Sequence, residues 1–216
     1  VVYFLSLKDM NQSQHLAELI EAGAVSFKIE GRLKDVSYVK NVTAAYSELL
    51  NEYIHHHPEE YERASKGRCK YTFKPDLRKT FNRGYTTYFL KGRQPNIASF
   101  DTPKAMGEYV GTVKEIRGHS FNVAGVASFS NGDGLCFVND KRELEGFRVN
   151  RVEGNRLFPL KMPDNLRPGL RLYRNNDQEM ERLLSKLSAE RKMPVKMVLR
   201  ATADGFSLQM GDVVDD

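Results

Sequence analysis

A strand-like run near the start of the chain ends in three charged residues. In "VSFKIEGR", Val25, Phe27 and Ile29 alternate with Ser26, Lys28 and Glu30, and Arg32 follows across Gly31. Successive strand side chains point to opposite faces, so Lys28 and Glu30 share one face while Phe27 and Ile29 share the other. At the mouth of a β/α barrel, a Lys and a Glu two apart can hold a carboxylate ligand, orient each other, or shift each other's pKa for proton transfer. The same pair serves equally as an ion pair closing the barrel top, and the residue types leave both readings open.

A second group lies in "KPDLRKTFNRGYTTYFLKGR", where Arg78, Lys79, Arg83, Lys91 and Arg93 are interleaved with Phe81, Tyr85, Tyr88 and Phe89. Such a mixture suits single-stranded RNA, whose bases stack on rings while its phosphates meet cations. Arg78, Lys79, Phe81, Arg83, Tyr85 and Arg93 are the candidate RNA-binding residues. The competing reading is structural: Phe81, Tyr85 and Phe89 recur at a helix-compatible spacing of four and can anchor the linker to the barrel. Metal chemistry has little to build on. His55, His56 and His57 are adjacent at the end of an expected helix and point in different directions, and Cys69 and Cys136 form no CxxC. No metal site is assigned.

The positioning elements begin with strand, helix, strand, helix. "VVYFLSL" reads as a buried strand. Asp9 and Gln12 have capping-box spacing before the stripe Leu16, Leu19, Ile20, and Gly23 suits a helix C-terminus, which predicts a helix over 12–22. "VSFKI" is the second strand. Asp35 or Ser37 caps a helix with the stripe Val39, Val42, Tyr46, Leu49, Leu50 and Tyr53. The two strands are expected to be parallel neighbours with a right-handed connection. Residues 55–71 are polar and patternless, as in a mobile connector. From Met106 to Tyr173, short strands separated by Gly, Asn, Asp and Pro turns predict a small closed barrel. Its inward set is Val110, Val113, Phe121, Val123, Leu135, Phe137, Phe147, Val149, Leu170 and Leu172, with Lys114, Arg148 and Arg171 outside. A helix striped by Met180, Leu183, Leu184 and Leu187 follows, then a hairpin turning at Asp204 and Gly205. "GDVVDD" reads as an acidic stop where a further domain has been cut off.

The expected fold class is therefore α+β. Two C-terminal β/α units of an incomplete β/α (TIM-like) barrel occupy residues 1–57, and a linker with the basic aromatic segment occupies 58–105. A small antiparallel β-barrel spans 106–173, and a helix with the start of a further truncated domain spans 174–216. Without an initiator Met, the chain reads as beginning inside a larger protein. With 216 residues and 40% hydrophobic content it can build cores. A net charge of +5 favours acidic partners, nucleic acid among them, although such an excess also serves solubility. No apolar run reaches the length of a membrane span, no signal peptide is evident, and cysteine usage fits a reducing cytoplasm.

"SFKIEGRLKDVSYVKNVTAAY" followed by "DLRKTFNRGYTTYFL" resembles the collagenase-like peptidase family U32, especially its longer members akin to ribosomal-RNA hydroxylation proteins. The resemblance covers residues 3 to about 175, and "GDGLCF" with "LRPGLRLYR" is similar to the small barrel of those longer members. It implies an N-terminal β/α barrel, absent here, and in several members a cysteine-held iron–sulfur cluster whose ligands lie outside this chain, so that no cofactor is expected in this fragment. It also implies prephenate-dependent hydroxylation of an RNA cytidine, and it places Lys28, Glu30 and Arg32 in the family's most recognisable motif, as candidate catalytic residues.

Three functions follow as expectations. The first is an RNA-modifying enzyme, with ribosomal RNA as partner, of which this is a C-terminal portion. The second is a peptidase, as the family label says, although no HExxH or GxSxG is present. The third is a non-catalytic RNA- or protein-binding module. Two β/α units cannot close a barrel of eight, so the isolated chain is expected to be catalytically silent. Its uncovered strand edge predicts self-association or disorder through residues 1–30.

Overall fold

The computed structural model describes residues 2–212. Of the acidic stop "GDVVDD", Gly211 and Asp212 end the last strand and residues 213–216 lie outside the described residues. Strand β1 (Asp9–Met10) is followed by a 3₁₀ turn at Ser13–His15 and helix α1 (Leu16–Glu21). This segment is shorter than the predicted helix, and Asp9 does not cap it, because its carboxylate is engaged elsewhere. Gly23 does terminate it, at φ 98, with its amide on the Ile20 carbonyl.

Helix α2 (Val36–His56) starts where expected: the Asp35 carboxylate accepts the Tyr38 amide at 2.6 Å. Its inward face carries Asn41, Val42, Ala44 and Ala45, whereas Val39 of the expected stripe is exposed. Two alanines on this face let neighbouring elements approach closely.

The two expected parallel strands are not formed. Residues 24–30 run without a ladder, and of residues 2–7 only Leu7 makes a bridge, to Ala98. An alternating sequence becomes a strand only beside a partner strand; residues 3–8 bond instead to the irregular segment 97–100, through Tyr3–Phe100, Ser6–Ser99 and Lys8–Ile97 backbone pairs, and no described strand pairs with 24–30. The incomplete β/α barrel is thus not seen, and Leu5 and Val25 stand in solvent.

The expected connector is partly structured. Strand β2 (Arg68–Tyr71) pairs antiparallel with β10 (Ala189–Lys192), Cys69 opposite Arg191. A 3₁₀ turn at Leu77–Lys79 and strand β3 (Tyr85–Thr86) follow, and β3 pairs parallel with β1.

Six strands then close the predicted barrel: β4 (Glu108–Arg117), β5 (Ser120–Ala124), β6 (Gly134–Val138), β7 (Leu144–Glu153), β8 (Arg156–Pro159) and β9 (Arg171–Asn176), in the order β4-β5-β8-β7-β6-β9. All ten residues assigned inward lie in its core or pack against it, together with Leu157 and Leu166, and Lys114, Arg148 and Arg171 are exposed. Burying each large side chain contributes about 1.5–3 kcal/mol gross. Closure needs Gly107: at φ 75, a Cβ there would sit 2.0 Å from the Arg174 carbonyl oxygen.

Helix α3 (Gln178–Leu184) follows directly, capped by Asp177, which accepts the Met180 amide at 2.9 Å. It ends at Leu184, so Leu187 of the expected stripe is exposed. Met180 and Leu184 pack with Ala44 and Phe73 in a second small core. Lys40 donates to the carbonyls of Leu184 at 2.6 Å and Lys186 at 3.0 Å, satisfying the C-terminal end of α3. Segment 177–192 therefore joins the α2 unit. A buried ionic node joins barrel to helix: Arg174 meets Glu108 at 2.7 Å, Asp133 at 3.2 Å and Asp177 at 3.5 Å, and Lys79 meets Asp177 at 2.7 Å.

The last element is the predicted hairpin, β11 (Val195–Thr202) with β12 (Gly205–Asp212), turning through Ala203 and Asp204. Met197, Leu199, Phe206, Leu208 and Met210 fall on one face and are all exposed.

Candidate functional site

The short β1–β3 ladder places Asp9 beside Arg83. The Asp9 amide reaches the Gly84 carbonyl at 2.9 Å, and the Asp9 carboxylate accepts the Arg83 amide at 2.8 Å and its guanidinium at 3.2 and 3.4 Å. Lys34 adds a third cationic contact at 3.4 Å. The Lys34 ammonium also sits 3.4 Å from the centre of the Phe81 ring and 5.4 Å from that of Tyr38, a cation held between a carboxylate and aromatic faces. Behind it, the Tyr85 hydroxyl donates to the Leu77 carbonyl. Burial, with Tyr38 and Asp9 nearby, raises the Tyr85 phenol above its ordinary value, so it is neutral at physiological pH.

This clamp stands at the foot of the charged turn. Residues 31–34 turn back on themselves, with the Lys34 amide on the Gly31 carbonyl at 3.0 Å. Leu33 takes a left-handed φ of 62 although it is not glycine, and it is 98% exposed. Positions of this kind store on the order of 1–3 kcal/mol and persist only when neighbours hold them. Here the neighbours are Lys34, fixed by Asp9 and Phe81, and Asp35, fixed as the cap of α2. Lys28 and Glu30 pair at 3.8 Å, with side chains 88% and 65% exposed. The Arg32 amide, donating to the Glu30 carboxylate at 2.9 Å, holds that group below its ordinary range, with Lys28 and Arg32 adding smaller attractions against slight desolvation. Lys28, Glu30 and Arg32 therefore stand together on an exposed turn, not inside a barrel mouth.

On the other side of Tyr85, a cleft of about 1120 Å³ opens between α2, residues 73–79, α3 and β3. Arg78 lies at its lip, bonded to Asp76 at 2.7 and 3.0 Å while two-thirds exposed. Burial opposes ionisation of Asp76, but the Arg78 bonds outweigh it and hold the carboxyl below its usual range. Asn41 fixes this segment, accepting the Asp76 amide at 3.0 Å and donating to the Asp76 carbonyl at 2.7 Å.

Of the six residues assigned to RNA, Phe81, Arg83 and Tyr85 converge on Asp9, and Lys79 is committed to Asp177. Arg78 is exposed at the cleft, and Arg93 is exposed on a separate loop. The helical reading of Phe81, Tyr85 and Phe89 does not hold. Gly84, at φ 84, breaks any helix there. Asp9 and Lys34 were missed as site residues. The signal available was that a half-buried Arg83 needs a carboxylate, and "SLKDM" supplies an acid beside an apolar run.

Among the described residues no group of three His, Cys, Asp or Glu could hold a metal ion. His56 and His57 place their Nδ1 atoms 2.7 and 2.8 Å from the carbonyls of Glu52 and Tyr53, tied to their own helix. The Cys136 thiol is buried in the barrel wall, which pushes its pKa up to about 12, and Cys69 lies on β2. One protonated, enclosed thiol and one strand cysteine do not fit an iron–sulfur cluster held by four thiolates. No helix among the described residues is long and apolar enough to cross a membrane.

Comparison with known proteins adds the following. Residues 1–99 match the model of peptidase family U32. Over 205 residues, 91% of this chain and 31% of the relative, the sequence is 43% identical to the 23S rRNA 5-hydroxycytidine C2501 synthase of Escherichia coli K12. A collagenase of Porphyromonas gingivalis is 27% identical over 82% of this chain and 52% of its own length. Uncharacterized protease MJ0090 of Methanocaldococcus jannaschii is 37% identical over 40% of this chain and 19% of its own length. The chain spans less than a third of the length of the E. coli relative.

Proposed function

We propose that this chain, whose residues 1–99 match the model of peptidase family U32, is a member of that family and part of an enzyme that hydroxylates a cytidine base of ribosomal RNA. The observation that carries this reading is the 43% identity to the E. coli rRNA hydroxycytidine synthase, which extends over 91% of the chain and so takes in both the charged turn and the barrel. A peptidase is the second reading. It rests on the family label and on collagenase relatives at 26–27% identity.

The geometry suggests how this portion contributes. Lys28 and Arg32 offer two cations on an exposed turn, suited to an anionic group such as the carboxylates of prephenate, the co-substrate implied by the resemblance. Glu30, kept ionised, orients the Arg32 backbone. The Asp9–Arg83–Lys34–Phe81 clamp acts as a positioning device that holds the turn against α2. Arg93, exposed on its loop, remains available to RNA phosphates, whereas Arg78 is paired with Asp76. An iron–sulfur cluster, where the full-length protein uses one, would take its ligands from outside this chain. A ribosomal-RNA substrate supports a cytoplasmic location.

Nucleoside mass spectrometry of ribosomal RNA tests the reading, using a strain lacking the gene that encodes this chain and complemented with wild type or Arg32→Ala. We expect 5-hydroxycytidine to disappear on deletion, return with wild type, and return at a tenth or less with the variant. Unchanged 5-hydroxycytidine in the deletion strain refutes it, and gelatin hydrolysis by the purified full-length protein, lost on Glu30→Ala, would favour the peptidase.

A further inference from the structure

The outer wall of the barrel carries a feature that the clamp and turn do not use. In the β4–β9 ladder Tyr109 lies opposite Tyr173, and Thr112 lies opposite Arg171. Because Val110 and Leu172 point into the core, these neighbours point outward. The two rings meet edge to face at 5.7 Å, and the Arg171 guanidinium lies 4.6 Å from the Tyr109 ring centre and 5.8 Å from that of Tyr173. A hydrogen bond of 3.0 Å between the Tyr109 and Thr112 hydroxyls holds the outer ring in place.

Charge sets this cluster apart from ordinary surface decoration. Arg117, Arg142, Arg151 and Arg167 on the same barrel each meet a carboxylate. Arg151 is the informative contrast: it also stacks on a ring, Phe158, at 4.3 Å, but Glu153 neutralises it at 3.1 Å. Arg171 meets no carboxylate among the described residues, and the one acid nearby in the ladder, Glu108, is taken by Arg174. Beside Tyr173 the Cys136 side chain is covered, its thiol 3.5 Å from the Met106 carbonyl oxygen, whereas Gly146 opposite Cys136 is exposed. Two residues on from Gly146, Arg148 is exposed on the same outer surface.

An uncompensated guanidinium stacked on tyrosines, one of them 47% exposed, fits a ligand that presents flat rings and negative charge together. We propose that this face, centred on Tyr109, Arg171 and Tyr173, docks a single-stranded segment of RNA, with an unstacked base on Tyr109 and a backbone phosphate on Arg171. A duplex would hide its base faces, whereas a single strand offers them. The proposal rests on the RNA-modifying reading and gives the barrel a part in it, that of holding substrate away from the reacting base.

Fluorescence anisotropy of the full chain with a labelled, unstructured 15-nucleotide RNA, and with the same sequence as a duplex, tests it. We expect the single strand to bind in preference to the duplex. Tyr109→Ala should weaken binding about fivefold or more, Tyr109→Phe should retain it, and Arg151→Ala should stay within twofold of wild type. Arg171→Ala should lower the salt dependence by about one phosphate contact. Equal affinities for wild type and Tyr109→Ala would overturn the proposal. So would a folded wild type that ignores RNA but binds an Asp/Glu-rich peptide through Arg171, which points to a protein partner. The nucleoside measurement above does not involve this face. Loss of 5-hydroxycytidine on gene deletion with unchanged Tyr109→Ala binding removes the docking face alone, whereas retained 5-hydroxycytidine removes the function it serves.

Discussion

Replacing Asp9 by Ala strands two cations at once. The bond from the Arg83 amide, at 2.8 Å to a charged acceptor, contributes about 1.5–3 kcal/mol net. The three further contacts, at 3.2–3.4 Å, are long and individually weaker. The side chains of Asp9, Lys34 and Arg83 are 13%, 15% and 26% exposed, which places these pairs between a surface pair of about 0–1 kcal/mol and a fully buried one whose breaking costs about 3–5. Taken together, the clamp should lose about 2–4 kcal/mol locally, or roughly 30- to 1000-fold in its opening equilibrium. Hydrogen exchange read by mass spectrometry measures this directly, with fragments covering 29–38 and 80–88 as reporters and the barrel fragment 134–149 as internal reference. Protection should fall in the reporters and hold in the reference. A double-mutant cycle with Arg83→Ala should return a coupling of about 1–2 kcal/mol. A fall below threefold in the reporters, or an equal fall in the barrel, would refute the claim that Asp9 organises this region.

Thiol labelling of the native chain should modify Cys69 and spare Cys136 until denaturant is added, because Cys136 is buried with its pKa pushed up to about 12; native labelling of both contradicts the enclosed barrel wall. Gly107→Ala should lower the barrel's melting temperature sharply or prevent closure, at a cost of about 3 kcal/mol or more, since the new Cβ would meet the Arg174 carbonyl at 2.0 Å; a melting curve matching wild type rules this out. Burial opposes ionisation of Asp177, but Lys79, the Met180 amide and Arg174 outweigh it and hold its carboxyl below the ordinary range. Its contribution to stability is therefore present above an unfolded value of about 3.9 and is lost as pH falls through the lower folded value; acid titration of tyrosine fluorescence should show this loss, and Asp177→Asn should flatten it. The exposed Phe4, Leu5, Val25 and Leu33 should make the chain's mass rise with concentration in light scattering, and a constant monomer mass argues against association there.

The barrel was legible in all ten residues expected inward, though not in Leu157 and Leu166, because each of its strands finds its partner within the same stretch of sequence. Alternation then decides burial, and closure supplies the hydrogen bonds. "VSFKI" carries the same alternation and forms no strand, since pairing depends on a neighbour that its own residues do not encode. The clamp was half legible. Phe81, Arg83 and Tyr85 are conspicuous by type, but Asp9 and Lys34 reach them through a two-residue parallel ladder and a turn, and no sequence window joins positions so far apart. β2 went unread for the same reason: its partner β10 comes after the whole barrel. Spacing misled at the Asp9–Gln12 capping box, at the stripe positions Val39 and Leu187, and where Phe81, Tyr85 and Phe89 mimic a helix that Gly84 forbids.

The first and last strands of the barrel, β4 and β9, are neighbours, with Glu108 opposite Arg174. The chain therefore enters and leaves the barrel at one point, and the residues on either side, Phe73 before and Met180 after, return to the same small core. In construction terms the barrel is a cassette plugged into a socket, not the next bead on a string. It could be exchanged or removed with its two stumps bridged by a short glycine linker, leaving the socket's packing in place. Any pull on a ligand held by the barrel wall would reach the socket through two adjacent chain crossings and the Arg174 node, so the direction in which the barrel presents its load is set by a few charged side chains at that neck.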